Sequence, residues 1–227
     1  MANPLGKASA QVGRVAVRAV DYVVENRLAD AQALVDRARS TQPTAAAAII
    51  ANSIVSRVSR EMATLGALSG AVAIAPGIGT TASLATGAAD VGVAFGRIST
   101  MILAVGLAHN VDLSSEEDRK RHVYAVLGGA ESQLNGKERK AGELKKLLGN
   151  KAIGARTTLP ALGRLNDVMA SRVGAKVVSK LAAKGLAVKF ASLLPLGIGA
   201  GIGAAGNRAL VSSVGRTAVL YFQSFRP

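Results

Sequence analysis

A run of 28 consecutive residues without a charged side chain, residues 62–89, limits the folds open to this chain more than any other feature. Length alone would suggest a transmembrane helix. Pro76 divides the run into pieces of 14 and 13 residues. At about 1.5 Å per helical residue, neither piece spans a hydrocarbon core of about 30 Å. Because Pro76-Gly77 is a strong break signal, the run predicts a hairpin of two helices, buried in protein or dipped into a bilayer.

The rest of the chain also has helical periodicity. Apolar residues recur at helical spacing, and we find no convincing alternation of period two. Pro4 marks the start of a first helix, and Pro43 lies near the start of an Ala-rich one. Ser114 and Glu117 form a capping box for a further helix, which Gly128-Gly129 is expected to end. We therefore predict an all-α fold, a single helical domain with closely packed Gly/Ala-rich central hairpins.

The composition narrows the class of protein. Hydrophobic residues make up 49% of the chain and the mean hydropathy is +0.30, yet aromatic residues are only 3%. Small side chains therefore carry the apolar character. There is no cysteine, which excludes disulfides and Cys-ligated metals. The first 20 residues contain no unbroken run of seven apolar side chains, so we expect no signal peptide and a cytoplasmic location.

The net charge of +14 is unevenly distributed. Residues 1–136 hold 12 Lys and Arg against 11 Asp and Glu, whereas residues 137–227 hold 16 against 3. Four of these cations are spaced by four residues, which puts them on one stripe of a predicted helix: Arg172, Lys176, Lys180 and Lys184. Such asymmetry indicates an anionic partner, namely lipid headgroups, nucleic acid or an acidic protein, although a solubilising surface would also look like this.

Residues 201–206 match G-x-G-x-x-G, but the context required for dinucleotide binding is missing. No strand precedes the motif, no βαβ unit surrounds it, and no acidic residue follows it. Glycines spaced by four, as Gly92 and Gly96 also are, instead allow close approach of helices, in membranes especially. The predicted close-packing or membrane-inserting residues are Pro76, Gly77, Gly79, Pro195, Gly197, Gly199, Gly201, Gly203 and Asn207.

The sequence contains no recognisable catalytic motif. The two histidines, His109 and His122, are 13 residues apart, and each is expected at a helix end or on the surface. Asp90 and Arg97 lie in very apolar sequence, two helical turns apart, and we predict that they form a buried ion pair. We therefore predict a non-enzymatic protein with no cofactor and no metal site.

Three stretches resemble the bacterial EcsC-like proteins. They are GAVAIAPGIGTTASLATGAADVGVAFGRISTMILAVGLAHNVDLSSEED, LGRLNDVMASRVGAKVVSKLAAKG and LLPLGIGAGIGAAGNRALVSSVGRTAVLYF. Together they cover roughly residues 60–225, and the order of the pieces carries the likeness. The resemblance implies a helical, membrane-associated bacterial protein of a family linked with ABC transporters. It implies amphipathic helices over residues 1–60 and an EcsC-like helical core over 61–227, within one domain, and it supplies no catalytic residues.

These observations favour association with the cytoplasmic face of a bacterial inner membrane, peripherally or partly inserted. The basic stripe would meet anionic lipid or a membrane protein, and the Gly-rich hairpins would pack as a core or dip into lipid. One alternative is a soluble interaction module that docks on a transporter subunit or encloses an apolar ligand. Nucleic-acid binding through the basic half is less favoured, because reading motifs and interleaved aromatic residues are missing. Homo-oligomerisation stays open.

Overall fold

The computed structural model describes residues 4–72, 80–134 and 198–225, and the side chains of residues 14–65, 91–130 and 207–225. Within these ranges the prediction of an all-α fold is confirmed, and the structure contains no strand. Its six helices are α1 (Pro4–Asn26), α2 (Leu28–Thr41), α3 (Ala47–Val72), α4 (Thr80–Ala108), α5 (Glu116–Leu134) and α6 (Ile198–Gln223).

Helix α4 is the centre of the bundle and contacts each of the other five helices. Helix α3 pairs with α6 along most of its length, whereas α1 packs mainly on α4. Small and branched aliphatic side chains dominate the interior, with Phe95 and Phe222 as its largest members. One cluster of buried apolar residues contains members of all six helices. The boundary expected between residues 60 and 61 therefore lies inside α3, within a shared core.

Contacts between named residues fix the direction of each helix. The pairs Asn207–Met62 and Ser212–Ser59 show that α6 runs antiparallel to α3. Phe222 lies beside Gly106, so α4 and α6 end at the same level. Helices α1, α4 and α6 thus finish where α3 and α5 begin, and α2 packs against α3 and α4 there. We call this the α2 end, and we call the opposite end, where α3 and α5 finish and α4 and α6 begin, the distal end.

The end of α4 is closed by a Schellman motif. The amide of Val111 donates to Gly106 O (3.1 Å) and the amide of Asn110 donates to Leu107 O (3.0 Å). Asn110 has a φ of 59°, a left-handed conformation that asparagine tolerates better than most residues. Its side-chain Oδ1 accepts from Arg39 Nη2 at 3.4 Å, which ties the turn to α2.

Two details of α5 differ from the sequence prediction. Ser115 caps the helix instead of Ser114, because Asp112 Oδ1 accepts from the Ser114 amide and leaves Ser115 Oγ to accept from the Asp118 amide. The helix also continues through Gly128-Gly129 to Leu134. The buried residues that surround these glycines supply packing that outweighs a propensity cost of about 1 kcal/mol per glycine.

Helices α3 and α4 are 26 and 29 residues long, so both extend well beyond the uncharged pieces on either side of Pro76. The expectation that neither helix is long enough to cross a bilayer is therefore wrong. Charged residues continue both helices because a helix accommodates them on an exposed side, as Arg60 and Arg97 show.

Candidate functional site

Most of the predicted functional residues lie outside the described part of the chain. This applies to the four cations of the stripe (Arg172, Lys176, Lys180 and Lys184), and to Pro76, Gly77, Gly79, Pro195 and Gly197. Gly199, Gly201 and Gly203 lie in the first turns of α6, in the helical conformation expected for them, but their surroundings are outside the described side chains.

Asn207 and Gly215 show how α6 meets α3. Asn207 is partly buried, and its Nδ2 donates to Met62 O at 3.4 Å. Further along the seam, the two hydroxyls of Ser59 and Ser212 lie 3.3 Å apart. At Gly215 the helices are so close that a Cβ atom would lie 2.3 Å from Val55 Cγ1. A small residue at this crossing is therefore a requirement of the packing.

The glycines of α4 serve a similar contact with α1. A Cβ on Gly92 would lie 3.1 Å from Val15 Cγ1, and one on Gly96 would lie 3.7 Å from Val23 Cγ2. Glycines spaced by four in α4 therefore face another helix of this chain, as helix–helix packing predicts.

The ion pair predicted between Asp90 and Arg97 is not a buried one. The Arg97 side chain is exposed, because this position of α4 faces away from α1 and from the core. The side chain of Asp90 lies outside the described residues. In sequence both positions looked costly for a charge, but the exposed side of α4 leaves Arg97 hydrated.

The inner side of α5 carries a set of polar contacts that the sequence did not indicate. Arg119 is buried, and it donates through Nε to Val24 O (2.6 Å) and through Nη1 to Leu113 O (2.9 Å) and Ser114 O (2.6 Å). Val24 lies in the last turn of α1, where backbone carbonyls lack helical partners. Arg119 thus joins the end of α1 to the α4–α5 loop.

His122 is buried between α5 and α6, contrary to the surface or helix-end position expected for it. Its Nδ1 shares a hydrogen bond of 2.9 Å with the Tyr221 hydroxyl, and its ring packs against Phe222 and Phe225 at centroid distances of 5.4 and 5.3 Å. Burial, with a smaller effect of the Arg121 charge, lowers the pKa of His122 to about 4. The imidazole is therefore neutral at pH 7. Burial also raises the pKa of Tyr221.

Asp21, Lys120 and Tyr124 form the contact between α1 and α5. The Tyr124 hydroxyl donates to Asp21 Oδ1 at 2.8 Å, and Lys120 Nζ lies 3.6 Å from the same oxygen. Burial, followed by the Asp21 charge, raises the pKa of Tyr124. These groups are neutral or paired and face one another. They are therefore suited to joining helices, and nothing in their geometry presents a nucleophile or base to a substrate. Among the described side chains, no group of three or more His, Asp or Glu could hold a metal ion.

The charged side chains are sorted along the bundle, and this is the most unusual feature of the described surface. Within five helical residues of the α2 end, or in its loops, the acidic side chains are Asp21, Glu25, Asp30, Asp36, Asp112, Glu116, Glu117 and Asp118. The basic ones at this end are Arg27, Arg37, Arg39, Arg119, Lys120 and Arg121. Eight acidic against six basic groups leave a balance of −2.

At least seven helical residues from that end, roughly 10 Å, the balance reverses. The described charges there are Arg14, Arg18, Arg57, Arg60, Arg97, Arg208, Arg216 and Glu61, a balance of +6. We call these eight residues the distal surface. All are exposed or partly exposed, and only Arg57 is engaged by Glu61 (3.2 Å). Lys7, Asp90 and Glu131 also belong to this half by their helical positions, and including them leaves +5.

Exposed large apolar side chains occur at both ends of the bundle. Val93 and Leu65 lie in the distal half, 54% and 41% exposed, whereas Tyr22, Ile49 and Leu220 lie nearer the α2 end. Within the described helices, one stretch, Val91–Ala108 of α4, is long and apolar enough to cross a membrane. Two thirds of it is buried in the protein, which is also typical of the core helix of a soluble protein.

Comparison of the chain with protein-family models, curated proteins and solved structures gives no match.

Proposed function

We propose that this protein binds the surface of an anionic membrane as a helical, non-enzymatic peripheral protein. The observation that carries the proposal is the distal surface, where seven arginines accompany one glutamate. A Lys or Arg near an anionic bilayer contributes about 1 kcal/mol to binding. Arginine is suited to this contact because its planar guanidinium binds phosphate oxygens in pairs. The resemblance to EcsC-like proteins places this membrane in a bacterium, with the protein on its cytoplasmic face.

The sequence between α5 and α6 supports the same proposal. Residues 135–197 contain 13 Lys and Arg against three acidic residues, a balance of +10. They include the predicted stripe of Arg172, Lys176, Lys180 and Lys184. In this proposal the stripe and the distal surface act together on anionic headgroups, and the nearby apolar sequence supplies contact with the acyl chains.

Nucleic acid is a less suitable partner for the distal surface. Single-stranded nucleic acid is bound by aromatic side chains that stack on bases, together with cations. Among the described aromatic residues, Phe95, Tyr124, Tyr221 and Phe222 are buried, Phe225 is partly buried near the α2 end, and Tyr22 is exposed near that same end. The distal surface therefore offers cations with no exposed ring among its described residues, which favours a diffuse array of headgroups.

Vesicle flotation tests the proposal. The full chain is mixed with vesicles of phosphatidylcholine alone or with phosphatidylglycerol added. We expect binding only to the anionic vesicles, and the triple variant Arg60→Gln, Arg208→Gln, Arg216→Gln should bind them one to two orders of magnitude more weakly. The matched control, Arg27→Gln, Arg37→Gln, Arg39→Gln, removes the same charge from the α2 end and should bind nearly as well as the unmodified protein.

Equal binding to neutral vesicles, or an equal loss in the two triple variants, would contradict the proposal. A parallel titration with duplex and single-stranded DNA identifies the alternative partner. Binding to DNA at low salt without binding to anionic vesicles would assign the distal surface to nucleic acid.

A further inference from the structure

We infer that the protein docks on the bilayer end-on, with the distal end of the bundle against the headgroups and the α2 end pointing into water. This inference rests on the proposed membrane function and adds an orientation to it. Three observations carry it: the position of the arginines around the bundle, the charge of the α2 end, and the end from which the basic connecting segment departs.

The arginines of the distal surface lie on two different sides of α4. Arg14 and Arg18 belong to α1, which packs mainly on α4, whereas Arg60, Arg208 and Arg216 belong to the α3–α6 pair, with which α1 makes no extensive contact. A bundle lying on its side would bring only one of these groups to a flat membrane. An end-on bundle brings both groups to the same depth, because Arg14, Arg60 and Arg208 lie at similar distances from the α2 end.

The α2 end has the opposite charge balance, with Glu116 and Glu117 exposed at the start of α5. A helix of 26 residues such as α3 is about 39 Å long, several times the Debye length of about 8 Å at physiological salt. In the end-on orientation the acidic groups are screened from the membrane, whereas side-on docking would bring some of them to its surface. Exposed apolar side chains occur at both ends, so charge decides the orientation.

Chain connectivity points to the same end. Helix α5 finishes and α6 begins at the distal end, so both ends of the connecting segment 135–197 attach there. That segment carries a charge balance of +10. The same holds for residues 73–79, between the end of α3 and the start of α4. The most basic and the least polar parts of the sequence therefore both join the bundle at its distal end.

The experiment uses the absence of cysteine from the chain. Single cysteines are introduced by Ala209→Cys on α6, Val93→Cys on α4 and Ala33→Cys on α2, all at exposed positions. Each full-length variant is labelled with a fluorophore whose emission rises in an apolar environment and is titrated with phosphatidylglycerol-containing vesicles. Circular dichroism and the thermal midpoint verify that each labelled variant is folded.

End-on docking predicts a severalfold rise in emission at both Ala209→Cys and Val93→Cys, and no change at Ala33→Cys. A rise at only one of the two distal positions, or a rise at Ala33→Cys, would overturn the orientation. If flotation in the same samples shows binding but all three labels stay silent, the inference fails while the membrane function stands. If flotation shows no binding to anionic vesicles, the proposed function itself fails.

Discussion

Gly215 and Val55 mark the closest approach of α6 to α3. A Cβ atom on Gly215 would lie 2.3 Å from Val55 Cγ1, 2.8 Å from Cγ2 and 3.1 Å from Cβ. The branched side chain of valine has one strongly preferred rotamer in a helix, so it cannot rotate away. The α3–α6 pair therefore depends on a residue without a side chain at position 215.

The first prediction is that Gly215→Ala destabilises the protein. In an unconstrained helix this change would stabilise by up to about 1 kcal/mol, but overpacking at a closed contact costs about 1–3 kcal/mol. We expect a net loss of about 1–2 kcal/mol in the free energy of unfolding, which corresponds to a drop of several degrees in the thermal midpoint. Urea or thermal unfolding measured by circular dichroism provides the test.

Two further variants separate overpacking from other effects. Adding Val55→Ala to Gly215→Ala removes both Cγ atoms from the clash and should recover part of the loss, which a double-mutant cycle measures. Gly96→Ala is the matched control, because its Cβ would meet Val23 at an ordinary 3.7 Å. We expect that variant to be neutral or slightly stabilised. A similar loss for Gly96→Ala and Gly215→Ala would show that the seam is not the cause.

The second prediction concerns Arg119. Its substitution by methionine keeps an unbranched apolar side chain but leaves the carbonyls of Val24, Leu113 and Ser114 without the guanidinium donor. Buried acceptors that lose a charged partner each cost about 1–3 kcal/mol, so we expect a loss of about 3 kcal/mol or more in unfolding free energy. Arg37→Met, at an exposed position of α2, should change stability by less than about 0.5 kcal/mol. Comparable midpoints for the two variants would contradict the role of Arg119.

The third prediction is a loss of stability in mild acid that depends on His122. Its pKa is about 4 in the folded protein and about 6.5 when unfolded. Above pH 6.5 the imidazole is neutral in both states, so its full contribution is present. As the pH falls from 6.5 to 4 the unfolded state binds the proton first, and stability declines by up to about 3 kcal/mol.

Unfolding by urea at a series of pH values from 7.5 to 4 tests this prediction. The neighbouring charges of Arg121 and Asp118 and the Tyr221 hydroxyl stay in place in the variant His122→Gln. That variant should be less stable at pH 7 but should have a shallower decline in acid. An unchanged slope in His122→Gln would assign the acid sensitivity to the carboxylates instead.

Local patterns predicted the fold class, the start of α1 at Pro4 and the use of glycines where helices meet, because periodicity, proline and glycine act over a few residues. The burial of His122 and Arg119 could not be predicted in this way. Each depends on a partner far along the chain, Tyr221 for His122 and Val24 for Arg119, and a charged stretch such as residues 116–121 is typical of a solvated helix.

The distal surface shows the same limit on a larger scale. In sequence, residues 1–136 are almost neutral, with 12 basic and 11 acidic residues. The charges separate only when the directions of the helices are known, because Arg14 and Arg208 then lie at the end of the bundle opposite Glu116. Capping and charge within α5 were visible locally, but the α2 end as a whole was not.

The fourth prediction tests the basic stripe identified from the sequence. The full-length variant Arg172→Gln, Lys176→Gln, Lys180→Gln, Lys184→Gln should bind phosphatidylglycerol-containing vesicles two to three orders of magnitude more weakly, since each cation near an anionic surface contributes about 1 kcal/mol. Binding of the unmodified protein should also fall as salt is raised from about 0.1 to 1 M, where the Debye length shrinks from about 10 to 3 Å. Flotation with neutral vesicles is the control for both measurements. Recovery that is the same on neutral and anionic vesicles, and unaffected by the four substitutions, would remove the electrostatic contribution of the stripe.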